Sequence, residues 1–406
     1  MKNILFLLDY YQENNSANGV CCRNVAECLA KKGYSTFVGC YRPLDAPAEE
    51  IQNGVRIIKT WTMPDVPSRK TLKEKIEIYF RWLDPFSRWP AAATKSREEA
   101  IYKSACKIIE EKGIDTVVCV HLPSETLLAG CRIKKRYPEL YLCAYQLDTL
   151  SGGNLPRFLP QNYTRKRRIA WERHLFRSMD RVILMNASRE HHARYTLREA
   201  WMKRAVYGDV PLLVPHNAKK KYVHSKGCVH IAFAGTMAES IRTPYHVMNV
   251  LSRLNCYHVK LTIAGVNQCR SALPVASGSL ELIELGLVEH ERALELLDEA
   301  DVLLSIGAKN VMLPSGKIFE YMALGKPIIA TYWSKQDVSL PYLEKYPLML
   351  ALDECEKNLD AQAKDIERFF DLSLGKHVEP GAMETAFQEN TPAAFEKLLT
   401  DKTTNR

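Results

Sequence analysis

The sequence has no long apolar run. Nowhere in its 406 residues do apolar side chains approach the roughly 18 consecutive positions that a membrane-spanning helix needs. The apolar run near the N-terminus, Ile4–Leu8, is interrupted at Asp9, so it is too short for the core of a signal peptide, and no small-residue cleavage site follows. We therefore expect a protein that neither crosses a membrane by a helix nor carries a secretion signal.

Recognisable cysteine pairs are absent as well. The 12 cysteines include no Cys-x-x-Cys spacing, and the adjacent Cys21 and Cys22 suit neither a metal site nor an ordinary disulfide. We expect reduced, mostly buried thiols and a cytoplasmic protein. No Asp-x-Asp motif is flanked by strand-like residues, and His191 and His192 lack a third ligand at a suitable spacing, so the sequence predicts no metal ion and no other cofactor.

The composition is that of an ordinary globular protein. Hydrophobic residues make up 46% and charged residues 25% of the sequence, which excludes a disordered chain, a collagen-like chain and a small disulfide scaffold. At about 100–200 residues per domain, the length favours two or three domains. The net charge of +9 comes from one segment, 157–204, which holds 13 basic and 4 acidic residues, while the rest of the chain is neutral.

Apolar strand-like runs alternate with amphipathic helical stretches, a pattern typical of doubly wound parallel sheets. The pattern restarts at Val229, after a linker predicted near residues 211–221. The sequence thus predicts an α/β protein with two Rossmann-like domains that face each other across a cleft, where ligands bind beyond the carboxyl ends of the strands. The predicted strands are 3–8, 35–40, 55–59, 116–121, 140–146, 182–185, 229–234, 259–264, 280–284, 302–306 and 327–331.

The predicted domain boundaries follow from this pattern. Residues 1–210 form an N-terminal Rossmann-like domain, residues 211–375 a C-terminal one, and residues 376–406 a helical segment that packs back on the N-terminal domain. A stretch of about 62–100, in which aromatic residues mix with Arg and Lys, is predicted as a helical insertion with a helix over 70–83. It fits either a helix packed on its own domain or an amphipathic surface that touches a membrane or a lipid-linked substrate.

The strongest local motif spans residues 313–327. Pro314 and Ser315 are typical of a helix start, and the amide N–H groups of a first helical turn carry a partial positive charge. Lys317 adds a full positive charge, an arrangement that suits a phosphate group. Glu320 follows on the same helix face, where a carboxylate can accept hydrogen bonds from ribose hydroxyls. An ordinary helix start with a surface Lys–Glu pair fits the same residues.

Two further segments of the second half support a phosphate site. The strand that ends at Ala234 leads into a small-residue turn at Gly235 and Thr236. Arg242 then precedes a helix, and its guanidinium group can clamp a diphosphate in a bidentate way. Because parallel strands end at one edge of a sheet, we expect these residues to project from the same edge as the 313–327 motif.

With these motifs the sequence resembles the retaining, nucleotide-sugar-dependent glycosyltransferases of the GT-B fold, in family 4 or a close neighbour, of the kind that builds bacterial surface polysaccharides. The resemblance covers almost the whole chain, and its most specific part is the Pro-Ser-x-Lys-x-x-Glu-Tyr stretch followed by Gly-Lys-Pro. Elsewhere it rests on weaker motifs in a matching order: 84–85, 89–91, 113–115, 121–124, 179–182, 232–236, 261–265 and 299–304.

The resemblance implies transfer of a sugar from a nucleotide-sugar donor to a saccharide or lipid-linked acceptor. It assigns the donor diphosphate to Lys317 and Arg242, and the acceptor hydroxyl or donor sugar to Asp148. The other expected donor-site residues are Gly19, Gly235, Thr236, Ser315, Gly316, Glu320 and Tyr321. Those expected on the acceptor or membrane side are His121, Arg165, Arg168 and Trp171. His121 also fits a satisfied histidine at a strand end.

Three positions depart from the family pattern. Met312, eight residues before Glu320, stands where many relatives have a glutamate near the donor sugar, and Thr236 and Leu147 stand where relatives often have arginine. The donor sugar therefore stays open. The cationic groups and helix amides match the charge that develops on a leaving diphosphate. We predict a metal-free mechanism in which the acceptor attacks the face from which the diphosphate departs, with a phosphate oxygen as base.

Two other functions stay open. A non-catalytic protein that binds a nucleotide or sugar is compatible with Met312. A nucleic-acid-binding protein would explain the +9 charge and the Arg165–Arg168 cluster, but no helix-turn-helix, zinc finger, RRM or KH signature is present, so we predict no nucleic acid partner. The predicted helix 165–177 fits either a solvated basic helix or a surface attracted to anionic lipid headgroups, on the inner face of the cell membrane, or to an acceptor pyrophosphate.

Overall fold

In the computed structural model the chain divides into two compact units. Unit 1 comprises Met1–Leu212 together with Glu389–Arg406, and unit 2 comprises Leu213–Gln388. The structure describes residues 2–11, 17–43, 45–61, 72–152, 159–214, 227–269, 276–309 and 314–400. Parts of the predicted linker and of the predicted insertion, residues 215–221 and 62–71, lie outside these ranges.

The core of unit 1 is one large, mainly parallel sheet. Its strands are β1 (Asn3–Leu7), β2 (Ser35–Tyr41), β3 (Glu49–Gln52), β4 (Val55–Trp61), β5 (Thr116–His121), β6 (Tyr141–Gln146), β7 (Arg181–Met185) and β8 (Ala205–Gly208). They lie in the order β3-β4-β2-β1-β5-β6-β7-β8, and the pairs are parallel apart from β3–β4 at the edge.

The central strands β1, β5 and β6 are buried over nearly their whole length, as expected where helices cover both faces of a parallel sheet. The helices are α1 (Ala17–Lys31), α2 (Leu72–Leu83), α3 (Lys95–Lys112), α4 (Ser124–Arg136), α5 (Gln161–Phe176) and α6 (Arg189–Tyr195). Local sequence sets their ends: α3 stops at Gly113, whose φ of 60° and N–H bond to the Ile109 carbonyl close the helix. None of the helices within the described ranges is long and apolar enough to cross a membrane.

Unit 2 repeats the plan. Its strands are β9 (Cys228–Ala234), β10 (Met237–Ala238), β11 (His258–Ala264), β12 (Asn267–Gln268), β13 (Ala276–Ser277), β14 (Leu280–Gly286), β15 (Val302–Ser305), β16 (Ile328–Tyr332) and β17 (Met349–Asp353). The main sheet has the order β13-β14-β11-β9-β15-β16-β17, parallel apart from β13–β14, and β10 pairs with β12. The helices are α7 (Tyr245–Leu251), α8 (His290–Glu299), α9 (Gly316–Ala323), α10 (Leu340–Leu343), α11 (Leu359–Ser373) and α12 (Pro380–Ala386).

The last helix, α13 (Pro392–Thr400), belongs to unit 1. Its Phe395 is buried, with its ring centroid 4.7 Å from that of Tyr145 and 6.2 Å from that of Phe6. On the rim of the same contact, Glu396 accepts a hydrogen bond from the Tyr34 hydroxyl at 2.8 Å and forms an ion pair with Lys32. Apolar packing thus joins the end of the chain to the first sheet.

In both sheets the strand order reverses beside the first strand, between β1 and β5 in unit 1 and between β9 and β15 in unit 2. These are two Rossmann-like units with parallel sheets, which confirms the predicted α/β class. Ligands of such sheets bind beyond the carboxyl ends of the strands at this reversal. The sequence interpretation missed the edge strands β3, β8 and β17, because an edge strand buries only part of its surface and its apolar pattern is weak.

Candidate functional site

A cavity of about 230 Å³ lies at the carboxyl edge of the unit 2 sheet. Five short segments form it: the end of β15, the end of β16, the turn that carries Arg242, the start of α9 and the segment that contains α10. The lining residues are Arg242, Ser305, Ile306, Gly307, Ala308, Pro314, Ser315, Gly316, Thr331, Tyr332, Asp337, Ser339, Leu340 and Leu343. The cavity is therefore formed within unit 2 alone.

Arg242 brings a buried hydrogen-bond donor to this cavity. Reciprocal main-chain hydrogen bonds with Ala238, of 2.9 and 3.0 Å, hold the turn that positions it. The Nε atom of Arg242 is buried and has no hydrogen-bond partner within the described part of the chain. Burial lowers the pKa of Arg242, and the charges of Tyr321 and Asp337 oppose that shift. A half-buried cation with an unused donor suits an anionic ligand.

The start of α9 lies beside Arg242 on the cavity wall. Ser315 precedes the helix in an extended conformation, as the sequence predicted for a helix start, and its N–H lies 3.3 Å from the Ser339 hydroxyl oxygen. The first two amide groups of α9, those of Gly316 and Lys317, have no carbonyl partners within the helix, whereas the Ile318 N–H bonds to the Ser315 carbonyl at 3.1 Å. Ser315 and Gly316 thus bring the positive end of a helix to the cavity that Arg242 lines.

At the ends of β15 and β16, polar groups form a chain of hydrogen bonds that leads away from the cavity. Gly307 donates its N–H to the Thr331 hydroxyl oxygen at 2.9 Å, and that hydroxyl donates to Glu354 Oε1 at 2.5 Å. A Cβ on Gly307 would lie 2.3 Å from the Thr331 carbonyl oxygen, so only glycine allows the two main chains to lie this close. Burial raises the pKa of Glu354 to about 7.

Lys317 and Glu320 pair with each other. Their Nζ and Oε2 atoms are 2.7 Å apart along one face of α9, and neither residue lines the cavity. Tyr321, on the next turn, is buried, and its hydroxyl oxygen accepts the Ala234 N–H at 3.1 Å. Tyr321 therefore fastens α9 to the end of β9 and does not line the cavity, contrary to the expectation that it belongs to the donor-binding surface.

The turn after β9 contains the predicted Gly235 and Thr236. Thr236 is exposed, and Gly235 donates its N–H to the Ala264 carbonyl at 2.8 Å. The tightest main-chain approach here belongs to Gly265, which has a φ of +138°; a Cβ on it would lie 2.1 Å from the Gly235 carbonyl oxygen. At Gly235 itself a Cβ would meet the Phe233 ring at 3.1 Å. Close main-chain packing at this edge therefore depends on Gly265, and the role of Gly235 and Thr236 toward a donor stays a prediction.

Gly19, predicted as a donor-site residue, lies at the carboxyl edge of unit 1 in the first turn of α1 and is buried. Its role at the donor site stays a prediction. Its neighbour Asn18 donates from Nδ2 to the Leu122 carbonyl at 3.3 Å. This contact brings the start of α1 to the end of β5.

His121 and Asp148 lie together at this edge. His121 is 2% exposed, and its Nδ1 is 3.0 Å from the Asp148 carbonyl oxygen, while its Nε2 is 3.3 Å from the Ser124 hydroxyl. Because a carbonyl only accepts, Nδ1 carries the proton and Nε2 accepts from Ser124. Burial lowers the pKa of His121 to about 4 and raises that of the Asp148 carboxyl. His121 is therefore neutral at neutral pH and holds the residue expected to contact substrate.

The expected acceptor or membrane surface of α5 turns inward. Trp171 is 2% exposed, with its ring centroid 4.8 Å from that of Trp82, and its Nε1 donates to the Ser87 carbonyl at 3.0 Å. Arg168 donates to the Leu150 carbonyl at 3.2 Å, and the half-buried Arg165 lies over the Tyr195 ring at 4.5 Å. The placement of Trp171 on a membrane-facing surface is wrong, because its ring is buried within unit 1 and packs on the ring of Trp82.

An exposed apolar stripe lies instead on α2 and just after it. It consists of Ile76, Tyr79, Phe80, Leu83 and Phe86, of which Phe80 is 63% and Phe86 88% exposed. The opposite face of α2 packs inward through Trp82. We call these five residues the α2 stripe.

Several cavity residues were missed by sequence reasoning. They lie at the ends of β15 and β16 or in the segments that follow, and this place in the sheet is the signal that could have found them: Gly307, Ala308, Thr331, Tyr332, Asp337 and Ser339. Met312, which departs from the family pattern, lies outside the described residues. Among the residues that the structure does describe, no group of three or more His, Cys, Asp or Glu side chains is arranged to hold a metal ion.

Comparisons with known proteins identify the fold. No protein-family model matches the sequence, and no curated protein matches it significantly. Among solved structures, the lipopolysaccharide outer core galactosyltransferase WaaB matches over 99% of this chain and 100% of its own, at 12% identity and a TM-score of 0.51. Anabaena HepE, in complex with UDP and glucose, matches over 100% of this chain and 97% of its own, at 12% identity and a TM-score of 0.52. An α,α-trehalose 6-phosphate synthase from Burkholderia multivorans matches over 98% of each chain, at 10% identity and a TM-score of 0.55.

The chain has the GT-B fold. At these identities the likeness concerns the architecture and leaves the reaction to the residues of the site. Because each match spans nearly the whole length of both chains, both Rossmann-like units belong to the shared architecture.

Proposed function

We propose that this protein is a glycosyltransferase that binds the nucleoside diphosphate part of a nucleotide-sugar donor in the unit 2 cavity. The observation that carries the proposal is the buried Nε of Arg242, which has no hydrogen-bond partner among the described residues and lies beside the first turn of α9. Both groups favour negative charge, and both are fixed before a ligand arrives. The neighbouring hydroxyl and carboxyl groups of Ser339 and Asp337 can hold sugar or ribose hydroxyls.

The same groups explain how transfer would be accelerated. As the bond between the sugar and the diphosphate breaks, negative charge grows on the leaving phosphate, and groups fixed around it stabilise the transition state more than the ground state. In the proposed reaction Arg242 and the α9 amides carry this charge, so no metal ion is needed. The acceptor attacks the face from which the diphosphate leaves, a phosphate oxygen takes the acceptor proton, and the configuration of the sugar is retained.

Unit 1 is proposed to bind a saccharide or lipid-linked acceptor in polysaccharide biosynthesis, with Asp148 positioning the acceptor hydroxyl, as in a family 4 enzyme of this type. Two similar structures support the reaction class through their descriptions: WaaB is a galactosyltransferase of the lipopolysaccharide outer core, and HepE was crystallised with UDP and glucose. The nucleotide-binding half of the proposal is independent of the acceptor, so it is tested first.

The test is thermal stabilisation of the full chain by UDP, GDP and ADP. One of the three should raise the melting temperature, because a ligand that binds only the folded state stabilises it. Arg242→Ala should abolish that shift. Arg253→Ala is the matched control, since Arg253 is an exposed unit 2 arginine paired with Asp360 at 3.1 Å.

The thermal shift and the release of nucleotide together separate the remaining functions. No shift with any of the three nucleotides, or a shift that Arg242→Ala leaves intact, would contradict the proposed site. A shift without release of UDP, GDP or ADP from any sugar nucleotide tested would favour a non-catalytic binder. With the active sugar nucleotide, Lys317→Ala and Glu320→Ala should each lower turnover strongly in a folded protein.

We also propose that unit 1 binds the cytoplasmic face of the membrane as a peripheral protein, where it would meet a lipid-linked acceptor. The α2 stripe presents aromatic and aliphatic side chains to solvent, and the exposed Lys73, Lys75 and Lys166 lie on α2 and on α5, which contacts the end of α2 through the Tyr163 hydroxyl. Exposed aromatic residues next to basic ones suit the interface of an anionic bilayer. The proposed membrane contact is therefore the α2 stripe and not Trp171.

Vesicle flotation tests this contact. The protein should float with vesicles of phosphatidylcholine mixed with phosphatidylglycerol more than with phosphatidylcholine alone, and added salt should weaken the binding. The double variant Phe80→Ser/Phe86→Ser should lose it. Leu285→Ser/Leu287→Ser, at two exposed leucines of unit 2, is the matched control. Equal binding to neutral vesicles, or equal loss in both double variants, would contradict the proposal.

A further inference from the structure

A five-residue segment after β6, residues 148–152, is held by buried polar groups from three different elements. We call it the Asp148 loop. Besides the His121 bond to the Asp148 carbonyl, the Arg168 guanidinium donates to the Leu150 carbonyl at 3.2 Å. Ser151, which is 1% exposed, is bound through both its main chain and its side chain. The proposed acceptor residue thus lies on a loop with little freedom.

Glu172 makes the closest of these contacts. It lies on α5 with no exposed surface; its Oε1 accepts the Ser151 N–H at 2.8 Å, and its Oε2 accepts the Ser151 hydroxyl at 2.8 Å. On the other side of the same hydroxyl, His191 Nε2 lies 2.8 Å from Ser151 Oγ. A single serine therefore links a buried carboxyl group to a half-buried imidazole in a continuous chain.

The hydrogens of this chain can be assigned. When Glu172 is ionised it only accepts, so the one hydroxyl proton of Ser151 points to Glu172, and His191 must donate from Nε2. When Glu172 is protonated, its Oε2–H donates to Ser151 Oγ, the serine proton turns to His191 Nε2, and His191 carries its proton on Nδ1. One proton taken up from water at Nδ1 converts the first arrangement into the second, and each heavy-atom contact is kept.

We propose that Glu172 is a positioning residue, which holds the Asp148 loop through Ser151 in either protonation state because the hydrogen bonds of the Glu172–Ser151–His191 chain reverse direction. The inference rests on the proposed function in one respect, that Asp148 faces an acceptor. It assigns to this buried carboxyl group the task of keeping Asp148 in place while its own charge changes.

Burial brings this change of protonation close to neutral pH. It raises the pKa of Glu172 to about 7, against the lowering effect of its bonds with Ser151 and Gln146, and the charge of Glu199 adds to the rise. Arg168, on the same helix, carries the opposite charge. Burial and the charge of Arg165 lower the pKa of His191, so the imidazole stays neutral where the carboxyl group titrates. Both arrangements of the chain are then populated in the neutral range.

The two states of Glu172 can be separated by substitution. The amide introduced by Glu172→Gln has one donor and one acceptor, as the protonated acid does, so it can bond to Ser151 Oγ and to the Ser151 N–H at once. Glu172→Ala removes both bonds. We expect hydrogen exchange of a peptide covering residues 148–152 to be at least tenfold faster in Glu172→Ala and nearly unchanged in Glu172→Gln. A peptide from β9 in unit 2 is the internal control.

The ring nitrogens of His191 supply a second readout, which a merely structural role would not move. In ¹⁵N spectra of the full chain, His191 should change from the Nε2–H to the Nδ1–H tautomer as the pH falls through about 7. In Glu172→Gln it should stay Nδ1–H over that range. Where Glu172→Ala does not fold, Ser151→Ala takes its place: it keeps the Ser151 N–H bond, should raise exchange by less than tenfold, and should remove the tautomer change.

Exchange in Glu172→Gln as fast as in Glu172→Ala, or a His191 tautomer that does not change with pH in the unmodified protein, would overturn the proposal. UDP-induced stabilisation is measured on the same variants and should equal that of the unmodified protein, because the unit 2 cavity shares none of these residues. Failure of UDP, GDP and ADP to bind would contradict the proposed function alone, and the exchange and tautomer results would still decide the role of Glu172.

Discussion

The eight-stranded sheet of unit 1 and the seven-stranded sheet of unit 2 share the strand order around their first strands, but their carboxyl edges differ in how polar groups are bonded. In unit 2 the strand ends border a cavity, and Arg242 contributes to it a buried nitrogen without a partner among the described residues. In unit 1 the corresponding polar groups bind one another: His121 holds Asp148, and Glu172 holds Ser151. One edge keeps its hydrogen-bonding capacity for a ligand, and the other uses it internally to position a loop.

In this chain the strand order sets where each site lies. Whether the polar groups there bind one another or stay available sets whether the edge positions a loop or binds a ligand. Each edge contains a buried glutamate that accepts a hydroxyl proton, Glu172 from Ser151 and Glu354 from Thr331, and burial raises the pKa of each to about 7. The difference lies in what surrounds them. In unit 2 the chain of contacts ends at the cavity wall, whereas in unit 1 it ends at the loop itself.

The largest expected effect comes from the main-chain contact at the unit 2 edge. Gly265→Ala places a Cβ 2.1 Å from the Gly235 carbonyl oxygen and forces a side chain into a φ of +138°. We expect it to lower the free energy of unfolding of unit 2 by about 3 kcal/mol or more, and to weaken nucleotide binding because the edge must shift. Urea denaturation and the UDP thermal shift measure the two effects.

Gly381→Ala is the control for this change. Gly381 lies in α12, where a Cβ would meet no atom within 4 Å, so alanine should stabilise the helix by about 0.5–1 kcal/mol. A Gly265→Ala protein as stable as the unmodified one would show that main-chain packing does not build the unit 2 edge.

The next prediction contrasts the buried Arg167 of unit 1 with the half-buried Arg242 of unit 2. In unit 1, Arg167 donates to the Pro85 carbonyl at 2.7 Å and to the Ser87 carbonyl at 3.1 Å, so Arg167→Ala should lower the free energy of unfolding by about 2 kcal/mol. Arg242→Ala should leave that free energy within about 0.5 kcal/mol and lower UDP affinity by roughly 30–100-fold, since the expected partner is the ligand. If Arg242→Ala lowered the free energy of unfolding by about 2 kcal/mol and Arg167→Ala lowered UDP affinity instead, the unit 2 edge would not be the binding edge.

The fold was predictable from the sequence because each central strand is a short apolar run between helices, as Asn3–Leu7 and Thr116–His121 are. The helix start at Ser315 was predictable for a local reason, since the capping residue and the first turn are neighbours in the chain. What was not predictable depends on contacts across the chain. Asp337 and Thr331 reach the cavity only once β16 and α10 are placed.

Side-chain direction was the other limit. The basic and aromatic pattern of α5 does not distinguish a helix that presents Trp171 to a membrane from one that packs it on Trp82, because both need an apolar stripe on a charged helix. Similarly, the spacing of Lys317 and Glu320 predicts that they share a face, but it does not tell whether they bind a ligand or each other. These outcomes are decided by burial and partners, which the sequence does not state.

A pH-dependent effect on stability is expected for Glu354. Because burial raises its pKa to about 7, the folded protein binds more protons than the unfolded chain between pH 4.5 and 7, and the contribution of this group to stability is lost as the pH rises through that range. Glu354→Gln lacks this loss. Its stability relative to the unmodified protein should therefore increase by about 2 kcal/mol between pH 5.5 and pH 8. Urea denaturation at a series of pH values measures it, and a pH-independent difference would contradict the raised pKa.

The smallest stability effect is expected for the Lys317–Glu320 pair, although Lys317 directly follows Gly316 of the cavity lining. The pair spans one turn of α9 with side chains 34% and 20% exposed, so Lys317→Ala should lower the free energy of unfolding by only about 0.5 kcal/mol. If Lys317 turns from Glu320 to a bound diphosphate, the same substitution lowers UDP affinity by roughly tenfold. Isothermal titration with UDP, on a protein whose stability is measured in parallel, gives both values. Unchanged UDP affinity would leave the pair as an ordinary surface contact of the helix, and would assign the phosphate to Arg242 and the α9 amides.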